Sequence, residues 1–488
     1  MRKVLKNSIA EKVSAHYDRY SETDPFGSYI KKGYYKELCI LLKHLISPGL
    51  EVLDLGCGNG DILASLKPAY GVGIDISPGM IKKAKEKYVK DDRFEFILGD
   101  VCDTEVFKKL KKTFDVICIS GAIQELEDVQ KMLGNIRYCC TSKTRVVIVQ
   151  FNRGWQIFLK LAEFIKVKKP QPVENWIPPE ILRNLLHFND FEIVREVSHL
   201  IFPIYLGPVS RVINRYFGHL PFVGAFSLLR ATVARPIGKD IGQENKVSKP
   251  SLTVVIPCRN EAGNISELHK RMPKLPEGSE VIWVEGNSTD NTEALLRELV
   301  EKNQDKPYRF LKQPGKGKGD AVRFAFSMAK GDILLILDAD MTVPPEEIPK
   351  FVDILVRDKA EFVNGTRLVY PMDEKAMRFM NLLGNKFFAL LFRWLLGQPV
   401  TDTLCGTKAM WRSDYEEMLK RRKLNGLVDD PFGDFDLLFG AARKHLKIID
   451  LPIRYGKRTY GETNISRFKD GLRLLRLVAE AASEVHFI

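Results

Sequence analysis

The chain has 488 residues, 45% hydrophobic and 28% charged, with a formal net charge of +13. That length exceeds what one ordinary core holds and predicts two or three domains, while the composition excludes a disordered, collagenous or disulfide-rich chain. The basic surplus favours an anionic partner, yet Lys and Arg are scattered and carry no helix-turn-helix, zinc-finger or RNA-recognition signature, so no nucleic-acid partner is expected.

The eight cysteines (Cys39, Cys57, Cys102, Cys118, Cys139, Cys140, Cys258 and Cys405) form no C-x-x-C pair and read as buried thiols in a reducing compartment. The basic start, Met-Arg-Lys-Val-Leu-Lys-Asn, lacks the apolar core of a signal peptide. No uninterrupted run of 18 apolar residues predicts a membrane-spanning helix. The expected location is cytoplasmic, with peripheral contact to the cytoplasmic face of a membrane left open.

Residues 1–48 read as helices, with Tyr34, Leu38, Leu41, Leu42 and Leu45 at helical spacing. Glu51-Val-Leu-Asp-Leu-Gly-Cys-Gly-Asn-Gly60 is an apolar strand running into a glycine loop, followed by a helix from Asp61 to Leu66. Glycines let the backbone approach a ligand closely, with the next helix N-terminus aimed at it. A second strand, 71–76, carries Asp75 about 20 residues beyond the first glycine, where a Rossmann-type domain sets a carboxylate on ribose hydroxyls. A helix over 79–89, a strand 94–100 ending in Asp100, and strands 114–120 and 145–150 continue the rhythm. They predict a mostly parallel sheet with ligand at the strand C-termini. The loop lacks the G-x-G-x-x-G spacing of an NAD-binding oxidoreductase.

Residues 51–150 resemble the class I S-adenosylmethionine-dependent methyltransferases. The likeness rests on Asp54-x-Gly56-x-Gly58-x-Gly60, on Asp75, on Leu98-Gly99-Asp100, and on Ser120-Gly121-Ala-Ile-Gln124-Glu125. It implies a Rossmann-like domain over residues 1–237. It also implies an S-adenosylmethionine site built from Asp54, Gly56, Gly58, Gly60, Asp75, Asp100 and Ser120. Gln124 and Glu125 either face the methyl acceptor or begin a solvent-facing helix. Residues 151–237 hold Trp155, Trp176 and a proline-broken run, 200–208, which either lines a substrate pocket, touches lipid, or packs as core and sheet-edge cover.

Residues 238–250 are polar, mixed in charge and aperiodic, and read as a linker between domains. Beyond them Ser251 begins a buried-type strand that stops at Pro257-Cys-Arg259-Asn260-Glu261. A helix follows to about Met272. Residues 280–285 are a strand ending in Glu285-Gly-Asn-Ser288-Thr-Asp290, and 308–312 another. Gly315-Lys-Gly-Lys318-Gly-Asp320 is a glycine-lysine loop suited to a phosphate, without the full P-loop spacing. Residues 333–338 form a hydrophobic strand ending in Asp338-Ala-Asp340. In an extended segment two such acids share one face, and hard oxygens of this kind suit Mg²⁺ or Mn²⁺ on a diphosphate.

These motifs resemble family 2 glycosyltransferases of the GT-A fold, in the branch of dolichyl- or polyprenyl-phosphate sugar synthases. Gly365-Thr-Arg367, Thr401-Asp402-Thr-Leu-Cys-Gly406-Thr-Lys408, Asp434-Phe-Asp436 and Arg458-Thr-Tyr-Gly461-Glu-Thr-Asn464 extend the likeness over most of 251–475. It implies a nucleotide-sugar site from Pro257, Arg259, Asn260, Glu261, Glu285, Ser288, Lys318 and Asp338. It implies a metal on Asp338 and Asp340, and an inverting transfer to a polyprenyl-phosphate or saccharide. For a hydroxyl acceptor the candidate bases are Asp402, Asp434 and Asp436. Two departures stand out. Glu285 replaces the usual Asp, and Asn464 replaces a phosphate-binding lysine, leaving Arg458 and Arg467 to supply the charge.

Residues 376–397 are apolar around much of a helix and read as an in-plane membrane contact or as core packing, as does the basic amphipathic tail 468–477. The expected architecture is therefore α/β twice over: a methyltransferase domain (1–237), a linker (238–250) and a glycosyltransferase domain (251–488). The expected function is a bifunctional transferase in glycan or glycolipid synthesis, the alternative being that one domain only binds.

Overall fold

The computed structural model describes residues 9–21, 29–165, 168, 170–200, 208–216, 223–238, 250–367, 379–425, 433, 435–454, 456, 460 and 475–482. The chain divides into two compact units, residues 1–244 and residues 245–486, each with its own seven-stranded sheet.

In the first unit α1 (Ile9–Ser21) and α2 (Tyr29–Leu45) precede β1 (Glu51–Leu55). Then come α3 (Asp61–Ser65), β2 (Tyr70–Asp75), α4 (Pro78–Lys87), β3 (Phe94–Leu98), α5 (Thr104–Leu110), β4 (Val116–Ser120) and α6 (Val129–Ile136). After these come β5 (Arg145–Phe151), α7 (Gln156–Phe164), α8 (Pro179–Phe188), β6 (Phe191–His199), α9 (Pro208–Tyr216) and β7 (Leu229–Pro236). The strand order is β3-β2-β1-β4-β5-β7-β6. Strands β1 to β5 are parallel, and β7 lies antiparallel between β5 and β6.

Alternation along the strands feeds both faces of this sheet. Val52, Cys118, Val147 and Val149 pack with Leu38, Leu41, Leu42 and Leu45 of α2. Leu53, Ile117, Val146 and Ile148 pack with Met132, Leu133 and Ile136 of α6 and Leu182 and Leu186 of α8. The five parallel strands match the sequence reading, but β6 and β7 are an addition to it. Their apolar pattern is broken by Arg195 and Arg235, which tertiary packing buries. The cost of burying Arg235 is offset by its ion pair with Glu192 at 2.7 Å.

The second unit runs β8 (Leu252–Cys258), α10 (Ile265–Arg271), β9 (Glu280–Glu285), α11 (Thr292–Lys302), β10 (Tyr308–Lys312), α12 (Lys318–Ser327) and β11 (Ile333–Ile336). It continues through α13 (Ile348–Val356), β12 (Phe362–Thr366), α14 (Phe379–Leu396), β13 (Lys408–Trp411), α15 (Arg412–Asn425), α16 (Phe435–Arg443) and β14 (Ile448–Pro452). The order is β10-β9-β8-β11-β13-β12-β14, parallel from β10 to β11, with β13 antiparallel to both neighbours. Leu252, Val254 and Ile256 of β8 and Ile333 and Leu335 of β11 share a core with Ile348, Phe351 and Leu355 of α13.

All eight cysteines are free, and all but Cys39 are buried. Among the described residues no helix is long and apolar enough to cross a membrane. Residues 239–249, 201–207, 376–378 and 468–474, named in the sequence reading as linker, apolar run and membrane-contact segments, lie outside the described residues.

Candidate active sites

The first unit reverses its strand order between β1 and β4, and the loops leaving β1 to β5 surround a cavity of about 280 Å³. A crevice at the carboxyl ends of parallel strands, at the switch point, is where such sheets bind ligands. Gly56, Gly58, Asp75, Asp100 and Ser120 all line it. Gly58 has φ +54 with open space where a side chain would stand, so the backbone itself forms the wall. Its N–H donates to Asp75 Oδ2 at 2.8 Å, and Ser77 N–H donates to Oδ1 at 2.9 Å. Each Asp75 oxygen keeps lone-pair capacity for a ligand hydroxyl. Asp100 caps the turn after β3 by accepting from Cys102 N–H at 2.8 Å. Gly60 and Asp54 support the loop from beneath. A Cβ on Gly60 would come within 2.7 Å of Phe96. Asp54 is 2% exposed, and burial pushes its carboxyl up to about 7 against a hydrogen bond from Cys118.

The far wall comes from residues the sequence motifs did not mark. Tyr17 and Tyr20 of α1, Tyr34 and Tyr35 of α2, Gln171, Glu174 and Trp176 all line the cavity. Helix α1 is fixed over it by Asp18, whose Oδ1 accepts from Ser77 Oγ at 2.6 Å and from Gly79 N–H at 2.9 Å at the start of α4. Tyr17 donates to Glu125 Oε1 at 2.7 Å. Burial lifts the Glu125 carboxyl to about 7, opposed by that bond. Four buried polar atoms of residues lining this cavity have neither a hydrogen-bond nor an ion-pair partner: Ser120 Oγ, Glu125 Oε2, Gln171 Oε1 and Trp176 Nε1. Orphaned buried groups of both donor and acceptor kind are the mark of a site shaped for a polar ligand. The glycine cradle, Asp75 and the orphaned atoms together fit S-adenosylmethionine. Trp176 belongs to this lining, whereas Trp155 packs against the core and donates to Phe226 O at 2.7 Å.

In the second unit the loops leaving β8 and β9 are knitted together. Asn260 sits at φ +57. Its N–H donates to Ser288 Oγ at 3.1 Å, and its side-chain oxygen accepts from Thr289 N–H at 2.8 Å. Glu261 is buried, donates from its backbone to Thr292 Oγ1 at 2.9 Å, and accepts from Asn264 Nδ2 at 2.6 Å. Asp290 accepts from Ala262 N–H at 3.3 Å across the same junction. Pro257 and Arg259 bracket this turn, with Arg259 exposed. Glu285 is fully buried. Its Oε1 accepts from Ser288 N–H at 2.6 Å, while Oε2 has no hydrogen-bond partner and lies 3.9 Å from Lys312 Nζ.

Lys318 opens α12 and sets its ammonium 2.7 Å from Asp338 Oδ1. Burial would raise the Asp338 carboxyl, but Lys318, with Lys408 and Arg367 nearby, holds it below its ordinary value. Gly406 closes the corner, for a Cβ there would overlap both Lys318 Nζ and the Asp338 carboxylate. The extended-strand picture of Asp338 and Asp340 needs correction. Strand β11 ends at Ile336, and Asp340 lies in a turn, accepting from Thr342 N–H at 3.1 Å and Thr342 Oγ1 at 2.7 Å. The turn, not strand alternation, orients the second acid. The ammonium on Asp338 Oδ1 stands where a bound cation would, and carboxylate oxygens are the donors a hard divalent cation takes. Among the described residues no group of three or more His, Cys, Asp or Glu converges.

Asp402 has a different setting from that of a free base. It is fully buried and clamped by Arg367, with Nε at 2.7 Å, Nη2 at 2.8 Å and the backbone N–H at 3.0 Å. Asp436, on α16, borders a small hollow with Arg323 and Tyr415 between α12 and α15. Asp434, Arg458, Asn464 and Arg467 lie outside the described residues. Gly433, next to Asp434, abuts Gly319 in the first turn of α12.

Two Rossmann-like units, each gathering its polar loops at the carboxyl ends of parallel strands, define a pair of transferase folds. Residues 253–419 match Glycosyl transferase family 2, and residues 46–189 match a Methyltransferase domain. A Glycosyltransferase AglJ of Haloferax volcanii is 30% identical over 45% of this chain and 68% of its own. A Dolichyl-phosphate hexose transferase of the same organism is 29% identical over 48% of this chain and 94% of its own. A Dolichol-phosphate mannosyltransferase of Pyrococcus furiosus is 28% identical over 44% of this chain and 59% of its own. The chain thus spans about three-fifths of the length of that last relative. It belongs to glycosyl transferase family 2 through its second unit and carries a methyltransferase domain in its first.

Proposed function

We propose that the chain is a two-headed enzyme. The second unit transfers a sugar, with inversion, from a nucleotide-sugar to a polyprenyl-phosphate or saccharide. The first unit methylates an acceptor at the expense of S-adenosylmethionine, and residues 238–250 tether the two. Both reactions serve one methylated glycan or glycolipid. The observation that carries the sugar-transfer reading is the Lys318–Asp338 corner under Gly406, beside the Asp340 turn.

In the second unit Glu285 Oε2, buried and without a hydrogen-bond partner, is suited to accept from a nucleotide base, with Ser288 N–H holding its other oxygen in place. Lys318 brings positive charge to the donor phosphates at a helix N-terminus. Asp338 and Asp340 would hold Mg²⁺ or Mn²⁺, which when bound would neutralise charge gathering on a departing diphosphate. A phosphate acceptor is already ionised. A hydroxyl acceptor needs a base, for which Asp436 and Asp434 remain the proposed candidates and Asp402 serves to fix Arg367. Exposed Phe387 and Leu390 on α14 support residues 376–397 as a peripheral contact beside a lipid-borne acceptor.

In the first unit Gly56, Gly58, Asp75, Asp100 and Ser120 would hold S-adenosylmethionine, which when bound supplies an electrophilic methyl group, with Asp54 and Gly60 shaping the loop behind them. Glu125, held by Tyr17 and with Oε2 unpartnered, is the base proposed to take a proton from the acceptor. The stacked Phe151 and Trp176 rings, 6.5 Å apart, would hold the acceptor's apolar face.

The test is one incubation of the full chain with a panel of nucleotide-sugars, Mn²⁺ and methyl-labelled S-adenosylmethionine in a membrane extract, followed by mass analysis of lipid and polymer products. A glycosylated lipid or glycan carrying the label is expected. Labelled and glycosylated products that are never the same molecule would sever the link between the heads, and absence of sugar transfer from every donor would overturn the first reaction.

A further inference from the structure

Helix α7, in the methyltransferase unit, turns an apolar face to water. Ile157, Phe158, Leu161 and Phe164 are 79%, 61%, 56% and 84% exposed, and the next residue, Ile165, is 59% exposed. Positions 157, 158, 161, 164 and 165 form one stripe along a helix. The inner side of the helix is apolar too, since Trp155 and Leu159 pack against the core. Phe226, 72% exposed, continues the stripe. Its carbonyl accepts from Trp155, and the Trp155 ring lies 5.6 Å from that of Phe158. A surface helix of a water-soluble unit normally shows its polar residues outward, so contiguous outward Phe, Ile and Leu mark a docking face.

Charge selects the occupant. Residues 153–174 contain Arg153, Lys160, Lys166, Lys168 and Lys169 against two acids, Glu163 and Glu174, a net of +3. A two-fold pairing with a second copy of this chain would set these like charges face to face. An anionic bilayer meets both demands at once: apolar side chains enter the acyl boundary while the basic surplus of the stretch is drawn to anionic headgroups. The helix is also tied to the cavity. Lys160 reaches Glu174 at 2.9 Å and Lys168 reaches it at 2.7 Å, and Glu174 lines the cavity wall.

We propose that α7 lies in the interface of an anionic membrane and thereby holds the methyltransferase cavity at the lipid surface. This goes beyond the two transfers proposed above, concerns a different unit from α14, and is tested without either reaction. The full chain is mixed with vesicles of phosphatidylcholine, alone or with phosphatidylglycerol, and bound protein is separated by sedimentation. Binding is expected to need the anionic lipid and to weaken with salt. The paired change Phe158→Ser, Phe164→Ser is expected to lower affinity by at least about tenfold. A second variant, Phe158→Trp, keeps the face apolar and reports its depth. Its fluorescence is expected to be quenched by lipids brominated in the acyl chain. Equal binding of the serine variant and the parent, or vesicle binding without quenching at Phe158→Trp, would overturn the proposal. So would a dimer in lipid-free solution that the serine substitutions dissolve, since that would assign the face to a second copy.

Discussion

Replacing Glu125 by Gln isolates the energetic consequence of placing a carboxyl in the methyltransferase cavity. Burial lifts this group from its ordinary 4.5 to about 7, with the Tyr17 hydrogen bond working in the opposite direction. An acid whose folded pKa lies above its unfolded value weakens the folded state as pH rises from the lower value through the higher. Below both values the group is protonated in either state and contributes nothing, and above both the full penalty is present. A rise from 4.5 to about 7 corresponds to about 3 kcal/mol at roughly 1.4 kcal/mol per pH unit. Partial exposure to solvent reduces the realised penalty to about 1–2 kcal/mol. Gln keeps the shape and still accepts from Tyr17, but it cannot ionise. The Glu125→Gln chain should therefore be more stable than the parent by about 1–2 kcal/mol at pH 8 and no more stable near pH 4.5. Amide hydrogen exchange in β4 and β5 of the full chain reads the opening free energy of this unit alone. Asp54, also lifted to about 7, titrates in both proteins and cancels in the difference. Stability profiles that run parallel from acid to pH 8 would show that Glu125 ionises freely, and the burial argument would fail.

Two further changes probe the second unit. Asp402→Ala removes the carboxylate that clamps the largely buried Arg367 guanidinium, so the unit should lose about 3–5 kcal/mol, read by exchange in β12 and β13. Asp402→Asn, which keeps one acceptor, should cost less. Gly406→Ala forces apart Lys318 and Asp338, and overpacking of about 1–3 kcal/mol should fall on donor binding. Calorimetric affinity for a nucleoside diphosphate with Mn²⁺ is expected to drop about tenfold or more, while exchange protection in β8 stays unchanged. Undiminished affinity would remove that corner from the donor site.

Much of both sheets was legible because parallel strands buried on both faces write themselves as continuous hydrophobic runs. The glycine loop at 56–60, Asp75, and the turns at 257–261 and 285–290 were legible for a related reason. Each puts its polar residues immediately after such a run, where the backbone must leave the sheet. What escaped was whatever depends on long-range contact. Strands β6 and β7 hide behind buried arginines. Tyr17, Tyr20 and Gln171 belong to a cavity whose wall is assembled from segments far apart in the chain, and Asp18 ties α1 over it. Asp402, read as a candidate base, proves to be spent on Arg367. The outward apolar face of α7 is indistinguishable in sequence from an ordinary core stripe, because periodicity reports that a helix has an apolar side but not which way it points.

The sequence alone determined that there are two α/β units and which loops carry their polar residues, because hydrophobic runs and turn chemistry are local. Only the tertiary structure decided that Lys318 sits on Asp338, that Glu125 is held by Tyr17, that Asp402 is buried, and that α7 faces water. Each of these depends on which distant side chain fills the space alongside, and burial and electrostatic pairing are settled by that neighbour and not by spacing along the chain.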